Sequence, residues 1–136
     1  MRDRVISVLA LAACALAAGC SGDKKAAAAP VSSVDALVMR LGASGLAPGK
    51  LAPVALPALP GGSCQRGDVG GVELTVCSYG DDAAAKAAES PGLSLVGDNT
   101  GAALASGSLL LVVADRKGVD KDGKKIDQIT RAFRGN

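Results

Sequence analysis

Cysteine is the residue in this sequence whose number and spacing bear most directly on chemistry. Four occur among 136 residues, at Cys14, Cys20, Cys64 and Cys77, while histidine and tryptophan are absent and Tyr79 and Phe133 are the only aromatics. Without an imidazole there is no His general base, no Ser-His-Asp triad and no His-ligated metal. Two aromatics cannot build a stacking platform for nucleic-acid bases. Serine, threonine, tyrosine and lysine are present, but at no spacing that sets a nucleophile beside its base. These exclusions lead to the expectation of a chain that is not an enzyme, uses no cofactor and holds no metal.

Cys64 and Cys77 are separated by twelve residues, and no C-x-x-C occurs. That spacing, with no His to complete a zinc site, argues against a redox or metal pair and for a structural bond. Gly70-Gly71 lies between two short β-like runs and suits a two-residue hairpin turn with positive φ. With the turn there, Val69 faces Val72 and Cys64 faces Cys77. Counting outward from Val69/Val72 as a hydrogen-bonded pair puts Cys64/Cys77 on a non-hydrogen-bonded pair. Its Cα atoms should then lie about 4.5–5.5 Å apart, within disulfide range. The same register turns Val69, Val72, Leu74 and Val76 to one face; Arg66, Asp68, Glu73, Thr75 and the cysteines turn to the other, wetter face. Closing this loop should contribute about 3 kcal/mol in the chain-entropy model.

Three other clusters invite a functional reading. Asp115, Asp120, Asp122 and Gly123 suggest a calcium loop. Aligning Gly123 with the EF-hand glycine puts Gly118 and Ile129 at the first and twelfth ligand positions, and neither supplies a carboxylate. Asp120 or Asp122 is better placed as a helix cap and turn former. Gly97, Gly101 and Gly107 have neither G-x-G-x-x-G spacing nor the lysine of a phosphate loop. Residues 115–136 hold seven Lys/Arg against four Asp, whereas 64–113 hold two basic residues against six acidic. This dipolar distribution could orient the domain on an anionic surface, lipid or polymer; a solvated helix face is the plainer account. Tyr79, directly after the second hairpin strand, is the candidate partner contact. A strand-end cover over the disulfide is the competing role.

The N-terminus carries the most specific pattern. Arg2 and Arg4 give a short positive start, followed by a predominantly apolar run of 14 residues from Val5 to Ala18. A transmembrane helix needs about 20 apolar residues, so this run is too short for a permanent span. Leu16-Ala17-Ala18-Gly19-Cys20 resembles the lipobox of bacterial lipoproteins. With a low-complexity tether and a compact domain behind it, the chain is similar to small lipoproteins of GC-rich bacteria. The resemblance implies that residues 1–19 are a signal peptide that is removed, and that Cys20 becomes the acylated first residue. Membrane lipid would be its partner, since two or more acyl chains anchor stably. Ser21, rather than Asp, follows the cysteine, which in a Gram-negative cell favours the periplasmic side of the outer membrane. Export would place Cys64 and Cys77 where disulfides persist, and Cys14 would leave with the signal. Without residues 1–19 the chain holds 13 basic and 12 acidic residues; this near-neutrality gives no electrostatic case for nucleic acid.

The elements that must position these residues follow from periodicity and breakers. Residues 20–31 read as a lipidated N-terminus and flexible tether. Residues 32–62 hold a short helix, capped by Ser32 or Ser33 with Val34, Leu37, Val38 and Leu41 on one face, and then a proline-rich extended segment. Pro48, Pro53, Pro57 and Pro60 make that segment a poor strand, with Leu51, Val54, Leu56 and Leu59 free to pack. Residues 63–136 form the main domain. After the hairpin, Asp81-Asp82 opens a helix closed by Ser90-Pro91-Gly92. Leu93–Val96 is a strand candidate and Ala102–Ala105 a helical turn or loop. Leu109–Ala114 is a buried central strand, and Ile126, Ile129, Thr130 and Phe133 mark an amphipathic closing helix.

The fold class is therefore α+β in the order α-β-β-α-β-β-α. It is a mostly antiparallel sheet of about four strands with two helices on one face and a disulfide-stapled hairpin. The function that follows is a membrane-anchored cell-envelope lipoprotein acting as a non-catalytic binding module for an envelope protein or polymer. The alternative is a periplasmic sensor or carrier of a small ligand. A deep pocket of convergent polar groups would mark the carrier. Apolar surface involving the proline-rich segment would mark the interaction module.

Overall fold

Gly70 and Gly71 take φ of 56° and 94°, a conformation open to glycine and strained for L side chains, and the chain reverses there. The strands on either side, β2 (Ser63–Val69) and β3 (Val72–Ser78), pair antiparallel with Val69 opposite Val72 and Cys64 opposite Cys77. Cys64 and Cys77 are disulfide-bonded, with their Cα atoms 4.0 Å apart, slightly closer than the register alone suggests. This is a computed structural model that describes residues 29–135; Cys20, the lipobox and the tether up to residue 28 lie outside the described residues.

Around the hairpin the chain forms a five-stranded, wholly antiparallel sheet in the order β1-β2-β3-β5-β4. Here β1 is Ala52–Val54, β4 Thr100–Ser106 and β5 Leu109–Asp115. The helices are α1 (Val34–Ala43), α2 (Asp82–Ala87), α3 (Glu89–Val96) and α4 (Lys124–Arg134). The class is α+β with an antiparallel sheet and a bridged hairpin, as the sequence indicates. The fifth strand, β1, comes from the proline-rich segment; its position at the sheet edge tolerates Pro53.

One face of the sheet presents Val69, Val72, Leu74 and Val76 together with Leu109, Leu111 and Val113, and α1 and α4 bury it. Ser33 caps α1 by accepting from the Ala36 N–H at 3.1 Å, and Leu37 and Leu41 are fully buried. Phe133 and Ile129 of α4 are also fully buried. At about 1.5–3 kcal/mol for each such side chain, this cluster is the main source of stability. The Val31 N–H donates to the Phe133 carbonyl at 3.3 Å, so the N-terminal side of the described chain joins the fold beside the end of α4.

The two main helices do not share a face. Leu110, Val112 and Ala114 point away from α4 and meet α3, Cys64, Cys77 and Leu59. The hairpin has one apolar face, but β5 is buried along all seven residues, and such a strand needs cover on both sides. The expected strand at 93–96 is instead the second half of α3, and the strand before β5 lies at 100–106. Pro91 does not end the helix. It is the third residue of a new helix, where its missing N–H has no intrahelical acceptor to lose. Gly92 is buried, and a Cβ there would crowd Val112, Ala103 and Leu110 at 3.1–3.4 Å, so its lack of a side chain lets α3 sit close on the sheet.

Candidate functional site

Tyr79 follows β3 directly, its N–H donating to the Ser108 carbonyl at 2.8 Å. The ring lies against Gly62, where a Cβ would collide with it. It forms one wall of a cleft of about 330 Å³ that also includes Leu59, Pro60 and Gly61 on one side and Ala84, Ala87 and Pro91 on the other. Asp81 starts α2 by accepting from the Ala84 N–H at 2.7 Å. The alanines that follow are good helix formers, and their short side chains leave the cleft open. Leu59 is buried and held by a turn, its N–H donating to Leu56 O at 2.9 Å.

The walls are predominantly apolar. The Tyr79 hydroxyl is buried and has no hydrogen-bond partner among the described residues. Burial pushes its pKa above the ordinary 10.0. Tyr79 thus lies where both sequence roles meet: it packs on the cluster containing the disulfide and also lines the cleft. The sulfurs belong to residues that are 5% and 0% exposed, which fits a staple better than an exchanging thiol pair.

A second cavity, a groove of about 480 Å³, lies at the turn end of the hairpin, lined by Lys50, Arg66, Asp68, Glu73, Arg116 and Lys117 over Gly49, Gly67 and Gly71. Glu73 stands between two arginines, 3.0 Å from Arg116 Nε and 3.8 Å from Arg66 Nε. Arg66 Nε also donates to Thr75 Oγ1 at 3.2 Å, and Arg116 Nη2 to the Leu95 carbonyl at 2.8 Å. Asp68 accepts from the Gly71 N–H at 2.7 Å and pairs with Lys117 at 3.3 Å. The Gly71 hydrogen bond, with help from Lys117, holds the Asp68 carboxyl below its usual range. The sequence reading missed this groove because Lys50 and Arg66 join it from one part of the chain and Arg116 and Lys117 from another. The hairpin register already placed Arg66 and Glu73 on one face, and that was the available signal.

The aspartates of the 115–123 loop organise backbone. Asp115 accepts from the N–H groups of Val119 (2.9 Å) and Asp120 (2.7 Å), and Asp120 from those of Lys125 (3.0 Å) and Ile126 (2.8 Å). Asp120 therefore caps the start of α4, one of the two residues the sequence nominated. Asp122 is ion-paired with Lys124 at 2.8 Å. Burial pushes the Asp115 carboxyl up, but the N–H groups of residues 117–120 outweigh it and leave it below its usual range.

Among the described residues no three His, Cys, Asp or Glu side chains gather as a metal site, and no helix is long and apolar enough to cross a membrane. No protein-family model, curated protein or solved structure matches the chain.

Proposed function

We propose that this protein is a lipid-anchored cell-envelope binding module, held to the membrane through acylated Cys20 and meeting a protein partner at the Tyr79 cleft. The anchor rests on the lipobox resemblance. The contact site rests on one observation: the proline-rich segment and α2 together border an open, predominantly apolar cleft with Tyr79 in its wall. An open cleft of this kind suits an apolar side chain of a protein better than a polar small ligand, which needs convergent hydrogen-bonding groups. That difference favours the interaction module over the carrier.

Site-specific photo-cross-linking in intact cells tests the contact. A photoreactive residue at Ala87, on the exposed cleft wall, should give a discrete protein adduct. The same residue at Met39, exposed on α1, should not, and Ala84→Glu should abolish the adduct at Ala87. Equal labelling from both positions would remove the site. Separately, Cys20→Ala should move the protein from the membrane to the soluble fraction, and retention through an uncleaved N-terminus would remove the anchor.

A further inference from the structure

The groove at the turn end of the hairpin is distinct from the Tyr79 cleft and has different chemistry. We infer that it binds the phosphate group of a soluble phosphate monoester. Four cations (Lys50, Arg66, Arg116, Lys117) and two carboxylates (Asp68, Glu73) line it, so it carries about two positive charges in excess. A phosphate monoester carries about −1.5 to −2 at neutral pH, which matches that excess.

The arginines are already positioned for such a ligand. Arg66 is fixed through Nε by Thr75 and Glu73, and Arg116 through Nε by Glu73 and through Nη2 by the Leu95 carbonyl. That leaves both terminal nitrogens of Arg66, and Nη1 of Arg116, without a protein partner among the described residues. Lys50 forms no ion pair with the described residues either. Guanidinium groups held at one edge with donors free at the other suit a phosphate's paired oxygens, and less rotamer freedom is lost on binding. Lys117 adds charge while shared with Asp68. The groove lies at the hairpin turn, near the start of α4, since Lys125 Nζ donates to the Gly70 carbonyl. Val31 joins the fold at the other end of α4. A chain anchored through its N-terminus can therefore present the groove away from its own membrane, which favours a soluble ligand over a lipid headgroup.

The test follows the Gly67 and Gly71 amide resonances of the full chain during titration with inorganic phosphate and with glycerol 3-phosphate, against sodium chloride at equal ionic strength. The expected result is a saturable shift with both phosphates and none with chloride. Arg66→Gln should weaken binding about ten-fold, the size of one charge-assisted hydrogen bond. Arg66→Lys should not restore it, and Lys121→Gln, outside the groove, should leave it unchanged. Because Arg66 also supports Thr75, Lys50→Gln provides a second variant, expected to weaken binding by several-fold with the fold intact. Shifts that follow ionic strength alone, or affinity that survives both Arg66→Gln and Lys50→Gln, would overturn the inference. So would a response to phosphatidylglycerol vesicles without one to inorganic phosphate, which would make the groove a membrane contact.

Discussion

On the face of the hairpin that carries Cys64, Arg66 and Asp68 beside Glu73, Thr75 and Cys77, side chains two residues apart have opposite fates. The cysteines are 5% and 0% exposed, closed over by Leu59, Val54, Leu56 and Tyr79. The side chains of Arg66 and Glu73 are 36% and 28% exposed and line an open groove. Strand alternation is the same along the whole face, so it cannot explain the difference. What differs is the cover: apolar side chains of Val54, Leu56, Leu59 and Tyr79 close over the disulfide end, whereas Lys50, Arg116 and Lys117 border the turn end and leave it open. Alternation assigns a residue to a face, and distant segments decide whether that part of the face is core or binding surface.

The disulfide gives the largest expected effect. Replacing Cys64 and Cys77 together by serine should cost about 3 kcal/mol, read as a lower urea midpoint. An unchanged midpoint in the double variant, with and without reductant, would mean that packing alone holds the closed end. Next is Leu59→Ala, which removes part of the cover and should cost about 2–3 kcal/mol. Arg66→Gln, at the open end of the same face, should cost no more than about 1 kcal/mol. If the two variants proved equally destabilising, the division of the face into core and surface would not hold.

The division also explains what was legible in the sequence. Gly70-Gly71 set the turn, and the register then delivered the disulfide and the Val69–Val76 apolar row from local information alone. The closing helix was legible because Ile126, Ile129 and Phe133 repeat at helical spacing. Pro91-Gly92 misled because both residues serve tertiary purposes: Pro91 occupies a helix's first turn, and Gly92 admits α3 to the sheet. Ala102–Ala105 has a composition that helix, loop and strand share; the antiparallel pairing of Thr100–Ser106 with β5 makes it part of a strand. The unbroken Leu109–Ala114 run implied cover on both faces, and placing both helices on one face underused it. Tyr79 was legible as a residue after a strand, but the cleft it lines was not, since Leu59 and Ala87 reach it from segments far apart in sequence.

Acid should separate closed from open sites more gently. Asp115 and Asp68 both have pKa values depressed below the ordinary 3.8. A carboxylate whose folded pKa is lowered contributes stability that is fully present above its unfolded pKa and is lost as pH falls through the folded one. Stability should therefore be nearly level above about pH 5 and decline below about pH 4. Asp115→Asn should flatten that decline more than Asp68→Asn. Asp115 is 5% exposed and orders the loop into α4, whereas Asp68 lies on the open groove. Denaturation midpoints across the acid range measure both, and the reverse order would show that the groove carboxylate contributes more to the fold.

The smallest effect is the most diagnostic for the proposed contact. Tyr79→Phe deletes a buried hydroxyl that has no partner among the described residues, so folding should be unchanged or improved by up to about 1 kcal/mol. The usual loss from removing a hydrogen bond should not occur. The sign has an alkaline counterpart. Burial raises the Tyr79 pKa, so above pH 10.0 the unfolded chain releases a proton that the folded chain retains, and stability falls as pH rises. The phenylalanine variant should lose that share of the alkaline decline. If the cleft opens on binding and the partner takes up the hydroxyl, the same variant will bind it more weakly while folding at least as well. Stability and binding moving in opposite directions would mark Tyr79 as a contact residue, and a destabilised Tyr79→Phe would make it a strand-end cover over the disulfide.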